Sequence, residues 1–210
     1  MGRLVGKPAA MSGQTPFEPF LRSTRVVDWQ DSRVLARAKL LARDRGGQIE
    51  VARACFAWVR DEIPHTLDHE LEPITCSASE VLAHRTGVCY AKSHLLAALL
   101  RANGIPCGFV YQRLPCDDLG ASFCLHGLNA LWLPGVGWYR VDARGHRAEL
   151  PQAQFEPPRE VLPYGDPLFP GIWAEPVGMV VRALETHRDR RALLANLPDA
   201  VALEDPDVSP

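Results

Sequence analysis

Cysteine, histidine and aspartate stand in that order at Cys89, His126 and Asp142, and each has a setting that suits acyl chemistry at a thiol. Cys89 follows Gly87-Val88 and opens an apolar run, so the pattern predicts a buried helix that begins at the thiol. A thiol is nucleophilic only as its thiolate. A helix N-terminus favours that anion by about 0.3–1 kcal/mol, less than a tenfold change in ionisation. A protonated imidazole about 4 Å away, at an effective dielectric near 20, supplies roughly 4 kcal/mol, about a thousandfold. The histidine must therefore do most of the activation, and the question is which histidine reaches the sulfur.

His126 lies in ASFCLHGLNALWL and Asp142 in VGWYRVDAR, two strand-like runs separated by a turn. A three-residue Leu133-Pro134-Gly135 loop pairs Trp132 with Val136, Ala130 with Trp138, Leu128 with Arg140, and His126 with Asp142. Directly opposed residues have Cβ atoms about 4.5–5.5 Å apart on one face, within reach of a carboxylate–imidazole contact. A two-residue loop would put the pair on opposite faces. On this reading Asp142 holds the ring and stabilises its charge. His126 takes the Cys89 proton and returns it to the leaving amine, and the Cys89 backbone N–H faces the developing oxyanion. A second oxyanion donor is not assigned: Leu82 carries no donor, and Ser79, His84 and Thr86 remain open.

The elements that must position these groups read as a helical half followed by a sheet-forming half. Helices are predicted from Asp31 or Ser32 to about Arg45, over 48–63, over SASEVLAHR with a Ser77/Glu80 capping box, and over 89–102. Strands follow over 107–114, 122–133 and 137–142, then a proline-rich stretch over 151–176 wrapped on the body, and a last helix over 177–196. That order predicts an α+β fold. Residues 1–24 read as a flexible arm, 25–196 as a single domain, and 197–210 as a solvated acidic tail.

With 210 residues, 47% hydrophobic and 23% charged, the chain has the composition of a globular domain. A net charge of −2 disfavours nucleic acid as a partner, and no apolar stretch is long enough to cross a membrane. Arg3 and Lys7 precede no continuous apolar core. A cytoplasmic location with six reduced thiols is therefore expected. Cys55, Cys107 and Cys124 read as inert core residues, and Cys76 and Cys116 as loop thiols without a role.

Other candidates are weaker. His65 and His69 follow Pro64 without a nearby zincin glutamate, and no C-x-x-C pair is present, so no metal site is expected. His94 reads as packing or surface, and Asn129 falls on the strand face opposite His126. Trp132, Trp138, Tyr139 and Trp173 read as core or as the lining of a substrate groove. Arg140 could meet an acidic substrate or pair with a glutamate, and Arg144 flanks Asp142 on the other side.

The stretches ASEVLAHRTGVCYAKSHLLAALLRANGIPC, LHGLNALWL and WYRVDAR resemble the transglutaminase-like superfamily, whose core is that of papain-like cysteine peptidases. FPGIWAEPVGMVVRALE resembles the tail of its small bacterial members, and the resemblance covers roughly residues 30–190. It implies a helical half packed on an antiparallel sheet, with nucleophile Cys89 at a central helix N-terminus, base His126 and third member Asp142. It further implies thiol acyl chemistry on a peptide, protein or small amide, with no metal or organic cofactor. Hydrolysis is the default outcome. Two rivals stand beside it: a non-catalytic interaction module that retains the fold, and a metal-binding regulator.

Overall fold

The computed structural model describes residues 16–116, 122–145, 152–165 and 168–207. Four helices come first. Helix α1 (Ser32–Ala42) starts where the Asp31 carboxylate accepts from the N–H groups of Arg33 and Val34. Helix α2 (Gln48–Glu62) follows the Gly46-Gly47 break and buries Ala52, Cys55, Phe56 and Val59. Helix α3 (Ala78–His84) carries the expected capping box: the Glu80 N–H donates to the Ser77 hydroxyl, and the Glu80 carboxylate accepts from the Ser77 N–H, both at 3.2 Å. Helix α4 (Cys89–Arg101) is the centre of the molecule, and every residue from Tyr90 to Arg101 is buried.

Polar side chains survive inside α4 because each is partnered. Lys92 Nζ donates to the carbonyls of Arg60 at 3.3 Å, Arg144 at 2.8 Å, and Ile63. It thereby ties the end of α2 and the Arg144 loop to the first turn of α4. Ser93 Oγ donates to the Gly127 carbonyl at 3.1 Å. The His94 ring meets the Cys76 carbonyl through Nδ1 at 2.7 Å and packs edge-on against Phe109. The Arg101 guanidinium donates to carbonyls of Arg22, Cys107 and Ala174.

Strands β1 (Cys107–Pro115), β2 (Phe123–Leu133) and β3 (Gly137–Val141) form an antiparallel sheet in the order β1-β2-β3. The strand period of two divides β2 between two apolar clusters. Leu125, Leu131 and Leu133 join the α4 core, while Leu128 and Ala130 pack with Phe20, Val110, Ile172 and Ala174. At Gly127 a Cβ would lie 2.8 Å from Tyr90 Cδ1, so glycine permits β2 to press against the start of α4. The expected α+β architecture is the observed one.

Several expectations are corrected. The β2–β3 register is displaced by two residues: Trp132 pairs with Trp138 and Ala130 with Arg140. The turn is Pro134-Gly135-Val136, closed by Val136 N–H to Leu133 O at 3.1 Å, with Gly135 at φ +76° and Gly137 at φ +94°. A two-residue displacement preserves the face each side chain occupies, so His126 and Asp142 become diagonal neighbours rather than an opposed pair.

The expected last helix is two, α5 (Gly178–Thr186) and α6 (Arg190–Leu194). Asp189 separates them by capping the second, accepting from Ala192 N–H at 2.8 Å. The proline-rich segment contains a hairpin, β4 (Gln154–Glu156) and β5 (Arg159–Val161). It then lies along β1, where Phe109 and Trp173 exchange backbone hydrogen bonds of 2.7 and 3.0 Å.

Neither end is wholly loose. The N-terminal arm packs from Phe17: Phe20 is buried against the outer sheet face, and the Phe17 ring lies tilted against Trp132 with centroids 4.8 Å apart. The acidic tail is fastened where Asp199 pairs with Arg113 at 2.7 Å, Glu204 O accepts from Trp173 Nε1 at 3.0 Å, and Asp207 accepts from Ala174 N–H at 2.8 Å. Residues 1–15 and 208–210 of these segments lie outside the described residues.

Candidate active site

Cys89 occupies the first position of α4, whose N-cap residue Val88 contributes no side-chain hydrogen bond. No side chain of the N-cap therefore takes up the first N–H groups of the helix. Strand β2 passes this end of the helix, where Tyr90 donates its hydroxyl hydrogen to the Leu125 carbonyl. The next residue is His126. Its Nε2 lies 2.7 Å from Asp142 Oδ2, which leaves Nδ1 for the Cys89 sulfur. The other Asp142 oxygen accepts from the Arg144 N–H at 2.8 Å, so the carboxylate is held at both ends. The Tyr164 ring stands edge-on to the His126 ring at 4.9 Å. Cys89, His126 and Asp142 thus meet at one place, on three separate segments.

Burial alone would push the Cys89 thiol up. The charge and hydrogen bond of His126, joined by those of His65, outweigh it and bring the thiol down to about 6. Burial likewise lowers His126, but the Asp142 carboxylate and the Cys89 thiolate more than reverse this and hold it well above the usual imidazole range. Asp142 is buried, yet His126 and the Arg144 N–H and charge keep its pKa below the ordinary value. Burial pushes Cys55, Cys76 and Cys107 up to about 12. One thiol out of four free ones is therefore poised to ionise near neutral pH.

Cys89 and His126 line a cavity of about 330 Å³, with Asp142 buried behind the His126 ring. Its polar wall also includes His65, Asp68 and Arg144, and its apolar wall includes Leu67, Leu114, Leu125, Leu194 and Leu197. His65 went unassigned in the sequence because it falls in an aperiodic loop, far from the nucleophile in the chain. The signal available was His65 and Asp68 one helical turn apart after Pro64. The His65 Nδ1 is 3.3 Å from Asp68 Oδ2, while His69 is exposed.

None of the open oxyanion candidates lines this cavity. The Thr86 hydroxyl is spent on Thr66 at 2.9 Å and the Pro64 carbonyl at 3.3 Å, the Ser79 hydroxyl meets Ser77 at 3.1 Å, and His84 is exposed. The aromatic groove is also not here. Trp132 and Trp138 stack edge-on at 5.8 Å beside Phe17 and Phe20, and Tyr139 hydrogen-bonds Arg159 O. The tyrosines that line the cavity are Tyr90 and Tyr164. Arg140 pairs with Glu160 at 2.6 Å, and Asn129 holds the Ser93 and Gly108 carbonyls at 3.1 and 3.2 Å.

The expectation of six reduced thiols is corrected by a Cys116–Cys124 disulfide at the cavity rim. The two residues flank the β1–β2 turn, which brings them together diagonally. Cys76, read as a loop thiol, is buried. Among the described residues no cluster of three or more His, Cys, Asp or Glu could hold a metal ion, and no helix is long and apolar enough to cross a membrane.

Among solved structures, the chain is similar to a candidate cysteine protease from Cytophaga hutchinsonii, at 22% identity and a TM-score of 0.48, covering 64% of this chain and 43% of that one. It is also similar to the periplasmic domain of TgpA from Pseudomonas aeruginosa, at 21% identity and a TM-score of 0.47, covering 61% of this chain and 46% of that one. The same domain bound to ethylmercury gives 20% identity and a TM-score of 0.47, covering 65% of this chain and 51% of that one. The alignments thus span about half or less of those structures. No curated protein matches. The sequence profile of the transglutaminase-like superfamily matches residues 36–143, just over half of the chain and a stretch that contains Cys89, His126 and Asp142. The chain therefore belongs to the transglutaminase-like superfamily.

Proposed function

We propose that the chain is a cysteine hydrolase or acyltransferase acting on a peptide or amide carbonyl through a Cys89–His126–Asp142 triad. The observation that carries this reading is the thiol lowered to about 6 beside an imidazole whose far nitrogen is 2.7 Å from a buried carboxylate. His126 Nδ1 takes the Cys89 proton, and the sulfur attacks the carbonyl carbon. The C=O electron pair moves to oxygen, facing the first-turn N–H groups of α4. When the tetrahedral adduct collapses, His126 delivers its proton to the departing amine and a thioester remains on Cys89. Water, deprotonated by the same ring, then releases the acid; an amine in its place would give transfer. Water is the default acceptor because it is always present.

The apolar wall and the volume of about 330 Å³ suit one side chain or a short peptide segment. The test is to treat the protein with p-nitrophenyl acetate at neutral pH and map the adduct. The expected result is a burst of one p-nitrophenolate per chain and an acetyl thioester on Cys89 alone, absent in Cys89→Ser. No thioester, or acetylation spread over other residues, would favour the non-catalytic module.

A further inference from the structure

We propose that His65 is the second oxyanion donor: its Nε2–H and the Cys89 backbone N–H together receive the negative charge that forms on the substrate carbonyl oxygen. The inference rests on the acyl-transfer reading above and names the group that completes it. His65 is 6% exposed and lines the same cavity as Cys89. It is held there by backbone pairing with Gly87, just ahead of the nucleophile, and by Thr66 N–H donating to Gly87 O at 3.2 Å. Like the His126 ring, it acts on the Cys89 thiol, lowering its pKa against burial.

The two imidazoles reach the sulfur from different sides of the fold. His126 comes from the sheet, and His65 from the loop that leaves α2 in the helical half. His126 already serves as base, so a second proton acceptor is not needed. Asp68 stands behind the His65 ring. Asp68 Oδ2 lies 3.3 Å from Nδ1 without forming a hydrogen bond to it. Nε2 is the ring nitrogen left for the cavity that His65 lines, and the donor proton is placed there.

Asp68 is itself fixed by Arg144, whose Nη2 donates to Oδ1 at 2.8 Å and whose Nη1 lies 2.7 Å from Oδ2. The backbone N–H of the same Arg144 holds Asp142. Arg144 therefore sets both carboxylates, one behind each histidine. Before reaction His65 faces a thiolate. When the S–C bond forms, negative charge leaves sulfur for the carbonyl oxygen, and a donor already aimed at that spot needs little rearrangement to follow it.

Two reagents separate this role from a purely structural one. Iodoacetamide alkylates the thiolate by displacement at a saturated carbon and forms no oxyanion, whereas p-nitrophenyl acetate must form one. Each rate is measured at its own pH plateau, so that any change in the thiol's ionisation drops out. For His65→Ala the expected result is acylation slowed by about 10²–10³ with alkylation within about threefold of wild type, the size of losing one oxyanion donor. His65→Gln, whose side-chain amide can donate, should recover at least about tenfold of the lost acylation. A parallel fall of both rates in both variants, or no loss of acylation, would overturn the proposal. A wild-type protein that gains no acetyl group on Cys89 would instead overturn the acyl-transfer reading itself, and this inference with it.

Discussion

The His126→Ala variant is expected to acylate Cys89 at least about 10³-fold more slowly than wild type, because base and leaving-group acid are lost together. The same change removes the main charge that offsets burial of the thiol. The Cys89 pKa then climbs from about 6 toward or above that of an ordinary thiol. At pH 6.5 the thiolate fraction falls on the order of 10²-fold, and iodoacetamide alkylation falls with it. Raising the pH restores alkylation but not acylation, since the proton donor stays missing. Both rates can be followed by intact mass. Alkylation at pH 6.5 that ignores the substitution would mean that the thiol is not activated by this histidine.

Asp142→Asn is expected to lower acylation by about 10³–10⁴ while keeping the side chain's shape. The carboxylate accepts from two donors, His126 Nε2–H at 2.7 Å and the Arg144 N–H at 2.8 Å. An amide has one oxygen, so in either orientation its NH₂ group confronts one of those donors. If the oxygen faces Arg144, His126 turns over its tautomer and Nδ1 can no longer act as base. The buried mismatch also destabilises the fold by about 1–3 kcal/mol. The pH profile carries a further signature. In wild type the rate rises as Cys89 ionises and falls again only when His126 loses its proton, well above the usual imidazole range. Removing the Asp142 charge lets the His126 pKa drop, so the descending limb moves to lower pH. A profile unchanged in shape would argue against Asp142 as the group that holds the ring.

The legibility of this site in the sequence has a physical basis. The apolar run behind Cys89 could only be a buried helix, and a helix that is buried all round needs its polar residues partnered, as Lys92, Ser93, His94 and Arg101 are. The His126–Asp142 contact was legible even though the register was not. Strand faces alternate with period two, so an error of two residues in the turn leaves both side chains on the same face. What fixed the true register was the left-handed backbone at Gly135 and Gly137, which local composition does not reveal.

His65 was missed because loops carry no period. Its place beside the sulfur depends on backbone pairing to Gly87, a contact between segments. The Cys116–Cys124 disulfide was missed because the thiols were judged by expected compartment, not by their position across the β1–β2 turn. The acidic tail looked solvated, but its carboxylates find Arg113 and the Ala174 N–H, partners distant in sequence.

His126 and His65 together offset the burial of a single thiol, Cys89, and bring it down to about 6. The decisive measurement of this activation is the pH dependence of Cys89 alkylation in the wild-type protein, resolved by peptide mapping against Cys55, Cys76 and Cys107. Cys89 labelling is expected to reach half its plateau near pH 6 while the other three stay inert across the neutral range. Labelling of Cys89 that begins only in the range of an ordinary thiol, or that keeps pace with the three buried cysteines, would contradict it.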